Sequence, residues 1–131
     1  MNELKDRISY LWDNRENLEK ERAVVEKVVE LLDKGELRVA EKKDGKWLVN
    51  EWIKKAVILY FPIQKMETIN VGPFEFHDKI PLKNNFAEQG VRVVPHAIDR
   101  YGNFLEKGGV MLQRYVIIGG YVGCGRLVVN W

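Results

Sequence analysis

The chain has one cysteine, Cys124, so no internal disulfide can form. It has no excess of charge: 21 basic residues stand against 19 acidic ones with the signs interleaved. That balance removes the electrostatic case for nucleic acid or a membrane surface as partner. Its longest apolar run, Ala56 to Pro62, is far too short to cross a bilayer. The charged, helix-like N-terminus offers no apolar signal segment. These absences point to a reducing, cytoplasmic setting. The hydrophobic fraction of 46% supports a true core and argues against disorder, and 131 residues suit one domain.

What the chain does have is a six-residue beat in its tail. Val110, Val116, Val122 and Val128 share one spacing, and Gly119 and Gly125 repeat it. Six is too short for a helical repeat. It fits a hexapeptide β-helix, in which each repeat supplies one short strand and one corner and three repeats make a triangular coil. An isolated coil lacks the neighbours that solenoid repeats need, so residues 110–131 should be the least protected part of the chain. Arg126 places charge at the edge of that coil and serves as a crude cap.

Before the beat the pattern is mixed. Asn2 suits the N-cap of a helix whose apolar face is Leu4, Ile8 and Leu11. A second helix is predicted from about Glu19 to Lys34, with a Val24–Leu32 apolar face and Gly35 at its C-terminal cap. Leu37 to Glu41 and Lys46 to Val49 alternate apolar and polar around Asp44-Gly45, which predicts a β-hairpin. Asn50 suits the cap of a third helix with Ile53, Ala56, Val57 and Tyr60 on one face, ended by Pro62. That helix and the hairpin are expected to share a core that includes Trp52. The stretch from Ile63 to Gln89 reads as irregular, anchored by Phe74, Phe76 and Phe86. A short strand follows at Val91–Val94, and Ala97–Lys107 reads as a short helix or a turn-rich connector.

Two blocks carry a family resemblance: LDKGELRVAEKKDGKWLVNEWIKKAVILYFP, Leu32 to Pro62, and GVRVVPHAIDRYGNFLEKG, Gly90 to Gly108, running into YVIIGGYVGCG. Together they resemble the N-terminal part of tetrahydrodipicolinate N-succinyltransferase, a family that transfers succinyl from succinyl-CoA to an amine acceptor in lysine and diaminopimelate biosynthesis. The resemblance implies an α+β fold: a small N-terminal α/β domain, residues 1–107, then the start of a left-handed parallel β-helix, residues 108–131. It implies a homotrimer, or co-assembly with a full-length homologue, and succinyl-CoA as co-substrate with no bound cofactor. On this reading the chain is a truncated or degenerate member, inactive alone. The alternative is a non-enzymatic assembly or interaction module that keeps the N-terminal fold.

The resemblance also assigns residues. Arg92 matches the family arginine that contacts the dicarboxylate, and a guanidinium suits a carboxylate through two parallel hydrogen bonds. The chain departs from the family at Val129, which stands where the family carries an aspartate, so no catalytic residue is assigned. It departs again at Arg114 and Arg126, where the family has small corner residues, and at Asp99, where it has alanine. His77 and His96 have no nucleophile or metal partner at a meaningful spacing, so they read as structural or solvated, and no metal site is expected. Cys124 reads as a small corner residue, with nothing nearby to lower its pKa. The paired glycines at 108–109 and 119–120 fit corners, since their spacing matches neither a dinucleotide fingerprint nor a P-loop.

Overall fold

The computed structural model describes residues 1–129. Asn130 and Trp131, the end of the tail unit and of the motif that departs at Val129, lie outside the described residues. Three helices build the first half: α1 (Asn2–Asp13), α2 (Arg22–Asp33) and α3 (Glu51–Ile63). Their apolar residues recur at helical spacing and meet in one core. Ile8 and Leu11, Val25, Val28 and Val29, and Ile53, Ala56 and Leu59 are all fully buried there.

The helix ends differ in detail from the sequence reading. Asn2 is the first residue of α1 and Met1 holds the cap position. A 3-10 turn at Arg15–Asn17 and the buried Leu18 take up the connection, so α2 starts at Arg22. Asn50 holds the N-cap position of α3 as expected, but its side chain makes no cap bond; its amide donates instead to the Arg38 carbonyl at 2.8 Å, tying the helix start to the preceding strand region. Pro62 does not end α3, which runs to Ile63. Burial of Ile63 outweighs the bias of the pre-proline residue, and two cations serve the exposed carbonyls: Lys79 Nζ donates to Phe61 and Arg22 Nη2 to Ile63, each at 3.2 Å. At the end of α2 the expected cap is present. Gly35 takes φ +74°, and Glu36 N–H reaches the Leu31 carbonyl at 2.9 Å.

The hairpin β1 (Ala40–Lys43) and β2 (Lys46–Val49) turns through Asp44 and Gly45, both at positive φ as a tight mirror-image turn requires. It does not share the helix core. Trp47, Leu48 and Val49 are exposed, and only Leu37 and Val39, ahead of the strands, reach inward. Trp52 packs on the core while remaining partly exposed. The stretch read as irregular holds a second antiparallel hairpin, β3 (Glu67–Val71) and β4 (Phe74–Asp78), which meet at Gly72-Pro73. Phe74 is exposed on it and is no core anchor. Phe86 opens a single helical turn, α4 (Phe86–Gln89).

Seven two-residue strands complete the chain: β5 (Arg92–Val93), β6 (Ile98–Asp99), β7 (Phe104–Leu105), β8 (Val110–Met111), β9 (Tyr115–Val116), β10 (Tyr121–Val122) and β11 (Leu127–Val128). They pair in parallel as three stacks: β5-β8-β11, β6-β9 and β7-β10. Each partner is 17 or 18 residues along the chain, as in Arg92 with Val110 and Ile98 with Tyr115. The segment read as a helix or connector is therefore two strands, and the parallel pairing begins at Arg92, inside the segment assigned to the N-terminal unit. The fold is α+β with short parallel strands.

One residue of each strand faces the interior: Val93, Asp99, Leu105, Met111, Val116, Val122 and Val128, of which Asp99, Leu105, Met111 and Val116 are buried. The steps between them are six residues, except the five from Met111 to Val116. The valine beat thus slips at Val110, whose inward place is taken by Met111. The missing residue is absorbed at the corner, where Gln113 adopts φ +40°.

The three stacks differ in what covers them. The β7-β10 stack lies on the helical unit, where Phe104 meets Gly35 and Gly119 meets Val39. Ile98 and Tyr115 of the β6-β9 stack line a small cleft with Ile69 and Phe76 of the second hairpin. The outer side of β5-β8-β11 is open, with Arg92 and Leu127 exposed.

Candidate functional site

Arg92 stands on the open stack. Its backbone is fixed in the ladder, with Arg92 N–H donating to the Gly109 carbonyl at 3.1 Å. Its side chain is exposed and enters no ion pair among the described residues. A guanidinium carried on a paired strand, with no ion pair among the described residues, is suited to an incoming carboxylate.

Val129 belongs to the same stack. Arg92, Val110 and Leu127 share one register, so Val129 lies two strands away and two residues further along. Strand spacing and rise put the two backbones roughly 12 Å apart. Val129 is half-buried, and its carbonyl accepts from Arg114 Nε at 2.7 Å. Arg114 therefore braces the backbone at Val129. Arg126 is exposed at the start of the last strand, and its carbonyl accepts from Val110 N–H.

The other candidates lie elsewhere. His77 pairs with Thr68 across the second hairpin, Nδ1 to Oγ1 at 3.0 Å. His96 sits edge-on to Phe74 with ring centroids 5.6 Å apart, so it anchors the tip of that hairpin to a corner. Both have structural partners and neither approaches a nucleophile. Cys124 is exposed at a corner, with its backbone N–H donating to Glu106 Oε2 at 2.6 Å. Among the described residues no cluster of three His, Cys, Asp or Glu side chains could hold a metal.

Three polar arrangements went unread in the sequence. Glu106 accepts from the Tyr121 hydroxyl as well as from Cys124 N–H, and these donors hold its carboxyl below the usual carboxylate range. The Arg38 guanidinium lies over the Tyr121 ring, 3.5 Å from its centroid, which pins the helical unit to this stack. Lys83 is buried where the helices meet the strands. Its Nζ donates to the carbonyls of Asn103 at 2.7 Å and Asp33 at 3.1 Å, and pairs with Asp33 Oδ1 at 3.0 Å.

Third, Asp99 points inside the stacks, where Oδ1 accepts from Asn103 Nδ2 at 3.3 Å while Oδ2 and the Asn103 Oδ1 are buried without a partner among the described residues. Burial pushes the Asp99 carboxyl up, against the lowering pull of Asn103 and Lys83. The partners of Glu106 and Lys83 lie 15 to 50 residues away in sequence, whereas Asp99 and Asn103 are only four apart.

A cavity of about 470 Å³ lies between α2, the end of α3 and the second hairpin, bordered by Ile63, Ile69, Ile80 and Leu82 with Lys65 and Lys79 at its polar side. Neither Arg92 nor Val129 borders it. No helix among the described residues is long and apolar enough to cross a membrane.

The family model for the N-terminal region of tetrahydrodipicolinate N-succinyltransferase matches residues 3–63. A 2,3,4,5-tetrahydropyridine-2,6-dicarboxylate N-succinyltransferase of Polynucleobacter asymbioticus is 43% identical over 95% of this chain and 50% of its own length. The protein of the same description from Ralstonia nicotianae is 43% identical over 89% of this chain and 47% of its own. That of Legionella pneumophila (strain Paris) is 42% identical over 91% and 48%. The chain spans about half the length of the curated relatives it matches. By these likenesses it belongs, as a counterpart of their N-terminal part, to the tetrahydrodipicolinate N-succinyltransferase family.

Proposed function

We propose that these residues form the N-terminal part of an N-succinyltransferase: the start of a left-handed parallel β-helix with Arg92 as the ligand of one substrate carboxylate, working in a homotrimer in the cytoplasm. The observation that carries the reading is the exposed guanidinium of Arg92, with no ion pair among the described residues, on the open side of β5-β8-β11 and inside a segment closely similar to enzymes named for a dicarboxylate substrate. Water first adds across the C=N bond of the acceptor, giving an N–H amine; succinyl transfer then joins that nitrogen to the thioester carbonyl, breaks the carbon–sulfur bond and moves the amine proton towards the leaving thiolate. Arg92 orients the acceptor. Val129 has no group that can take that proton or bond the amine.

We infer that the 131 residues alone do not turn over. Loss of acid–base assistance typically costs ~10²–10⁴ in rate. The larger loss is of orientation for the thioester, because positioning contributes ~7–11 kcal/mol of barrier reduction. A thiol-release assay with succinyl-CoA and tetrahydrodipicolinate tests this. No turnover is expected from the chain or from Val129→Asp. A chimera joining Val129→Asp in frame to the C-terminal half of the Ralstonia nicotianae relative is expected to be active. Turnover by the unsubstituted chain, or a folded but inert chimera, overturns the proposal.

One observation favours the second reading, a binding or assembly module. The open stack and its flanking corners, residues 90–97, 107–114 and 124–129, contain no carboxylate at all. Apart from Glu106, whose carboxylate reaches the Cys124 corner, and His96, whose ring packs on Phe74, this face offers cations for an anion and no carboxylate base.

A further inference from the structure

That same face has a charge imbalance absent from the chain as a whole. Across those three stretches stand Arg92, Lys107, Arg114 and Arg126. They divide into two levels. Arg114 is directed to the end of the last strand by its bond to the Val129 carbonyl, and Arg126 immediately precedes that strand. Lys107 and Arg92 belong to the opposite end. Gly108 N–H donates to the Gly90 carbonyl at 2.9 Å, which sets the Lys107 corner against Gly90. The Lys107 stem then crosses Gly90: a β-carbon there would lie 2.8 Å from Lys107 Cγ and 3.4 Å from Cδ and Cε. Gly90 also takes φ +68°, so both the backbone and the lysine stem require glycine there. Arg92 follows two residues on, roughly 7 Å along an extended chain.

We propose that Lys107 is the second cation of the Arg92 site, so that the two carboxylates of one small dicarboxylate are held by Arg92 and Lys107 respectively. The inference rests on the assignment of Arg92 to a carboxylate made above. Arg92 supplies the planar, bidentate contact, and the flexible Lys107 supplies a point charge that tolerates variation in ligand length. Lys107 thereby discriminates dicarboxylates from monocarboxylates.

Titration calorimetry of the chain at low ionic strength tests the pairing. The probe is heptanedioate, whose carboxylates are linked by five carbons like those of a 2,6-dicarboxylate ring; heptanoate is the comparison. Arg92→Ala should weaken heptanedioate binding about tenfold or more, and Lys107→Ala about three- to tenfold. Lys107→Arg and the remote Lys46→Ala should bind as the unsubstituted chain does. Heptanoate binding should be insensitive to Lys107→Ala. If Lys107→Ala binds heptanedioate normally while Arg92→Ala loses it, Lys107 is excluded and the Arg92 assignment stands. Equal weakening by Lys107→Ala and Lys46→Ala reduces the effect to net charge and overturns the pairing. Absence of saturable heptanedioate binding to the unsubstituted chain overturns both assignments.

Discussion

Gly35 lies flat against the ring of Phe104: a β-carbon on Gly35 would come within 2.6 Å of Phe104 Cδ1. The residue that ends α2 is therefore also the point at which the helical unit meets the parallel stacks. Gly35→Ala has to adopt φ +74° and displace the ring, and it should destabilise by about 2–4 kcal/mol. Urea unfolding is the measurement. A loss confined to about 1 kcal/mol would mean that the ring yields and only the backbone strain remains.

Lys83 holds the same junction from the polar side. Its side chain is 5% exposed and bridges Asp33 to the Asn103 carbonyl. Lys83→Met keeps the stem and leaves the Asp33 carboxylate with the Gly102 N–H as its remaining partner. A loss of about 3 kcal/mol is expected, since removing one partner strands a largely desolvated charge. A double-mutant cycle with Asp33→Asn should show coupling above about 1 kcal/mol. Additive losses would show that the pair does not act as a unit.

Asp99 should make stability fall with rising pH. Burial raises its folded pKa above the unfolded one, so its contribution is complete below the ordinary aspartate pKa and is lost as pH climbs through the folded value. Asp99→Asn removes that loss. The variant should be more stable than the parent at pH 7, and the advantage should shrink towards pH 4. Melting curves across that range decide it; an unchanged gap between the two proteins would show that Asp99 stays ionised or is hydrated.

The outermost strands should exchange their amide protons fastest. β11 pairs on one side only, with β8, and Leu127 is exposed beside it. Amides of β9, β10 and β11 should open more readily than those of α3, whose Ile53, Ala56 and Leu59 are fully buried. Equal protection would show that an assembly covers this edge.

The helices and the first hairpin were legible because their signals are local: the i, i+3, i+4 spacing around Val25 and Val29, the Asp44-Gly45 turn, and Gly35 at a cap. The second hairpin was not, because its strands bury neither face fully and Ile69 and Phe76 are only half covered. The first turn of parallel strands was hidden by its inward residues. Val93, Asp99, Leu105 and Met111 differ in kind, whereas Val116, Val122 and Val128 announce themselves as a repeat. Arg92 could be named from its motif, but its exposure on an open face depends on which stacks the helices and second hairpin cover. Lys83 was beyond reach of any local pattern, since its partners lie 20 to 50 residues away in sequence; Asp99 and Asn103 are only four apart, but their burial together depends on the stacking of the strands.

The five-residue step from Met111 to Val116 shows where this architecture stores its tolerance to length. The lost residue is made good within one corner, and Val116, Val122 and Val128 resume their inward places as though nothing had been removed. Corners therefore act as slack, and insertions or deletions near Gln113 should be accommodated more readily than changes of residue type inside. A single acid at position 99, by contrast, leaves buried oxygens that no adjustment of spacing can satisfy. For parallel stacks of this kind, divergence in length comes more cheaply than divergence in polarity.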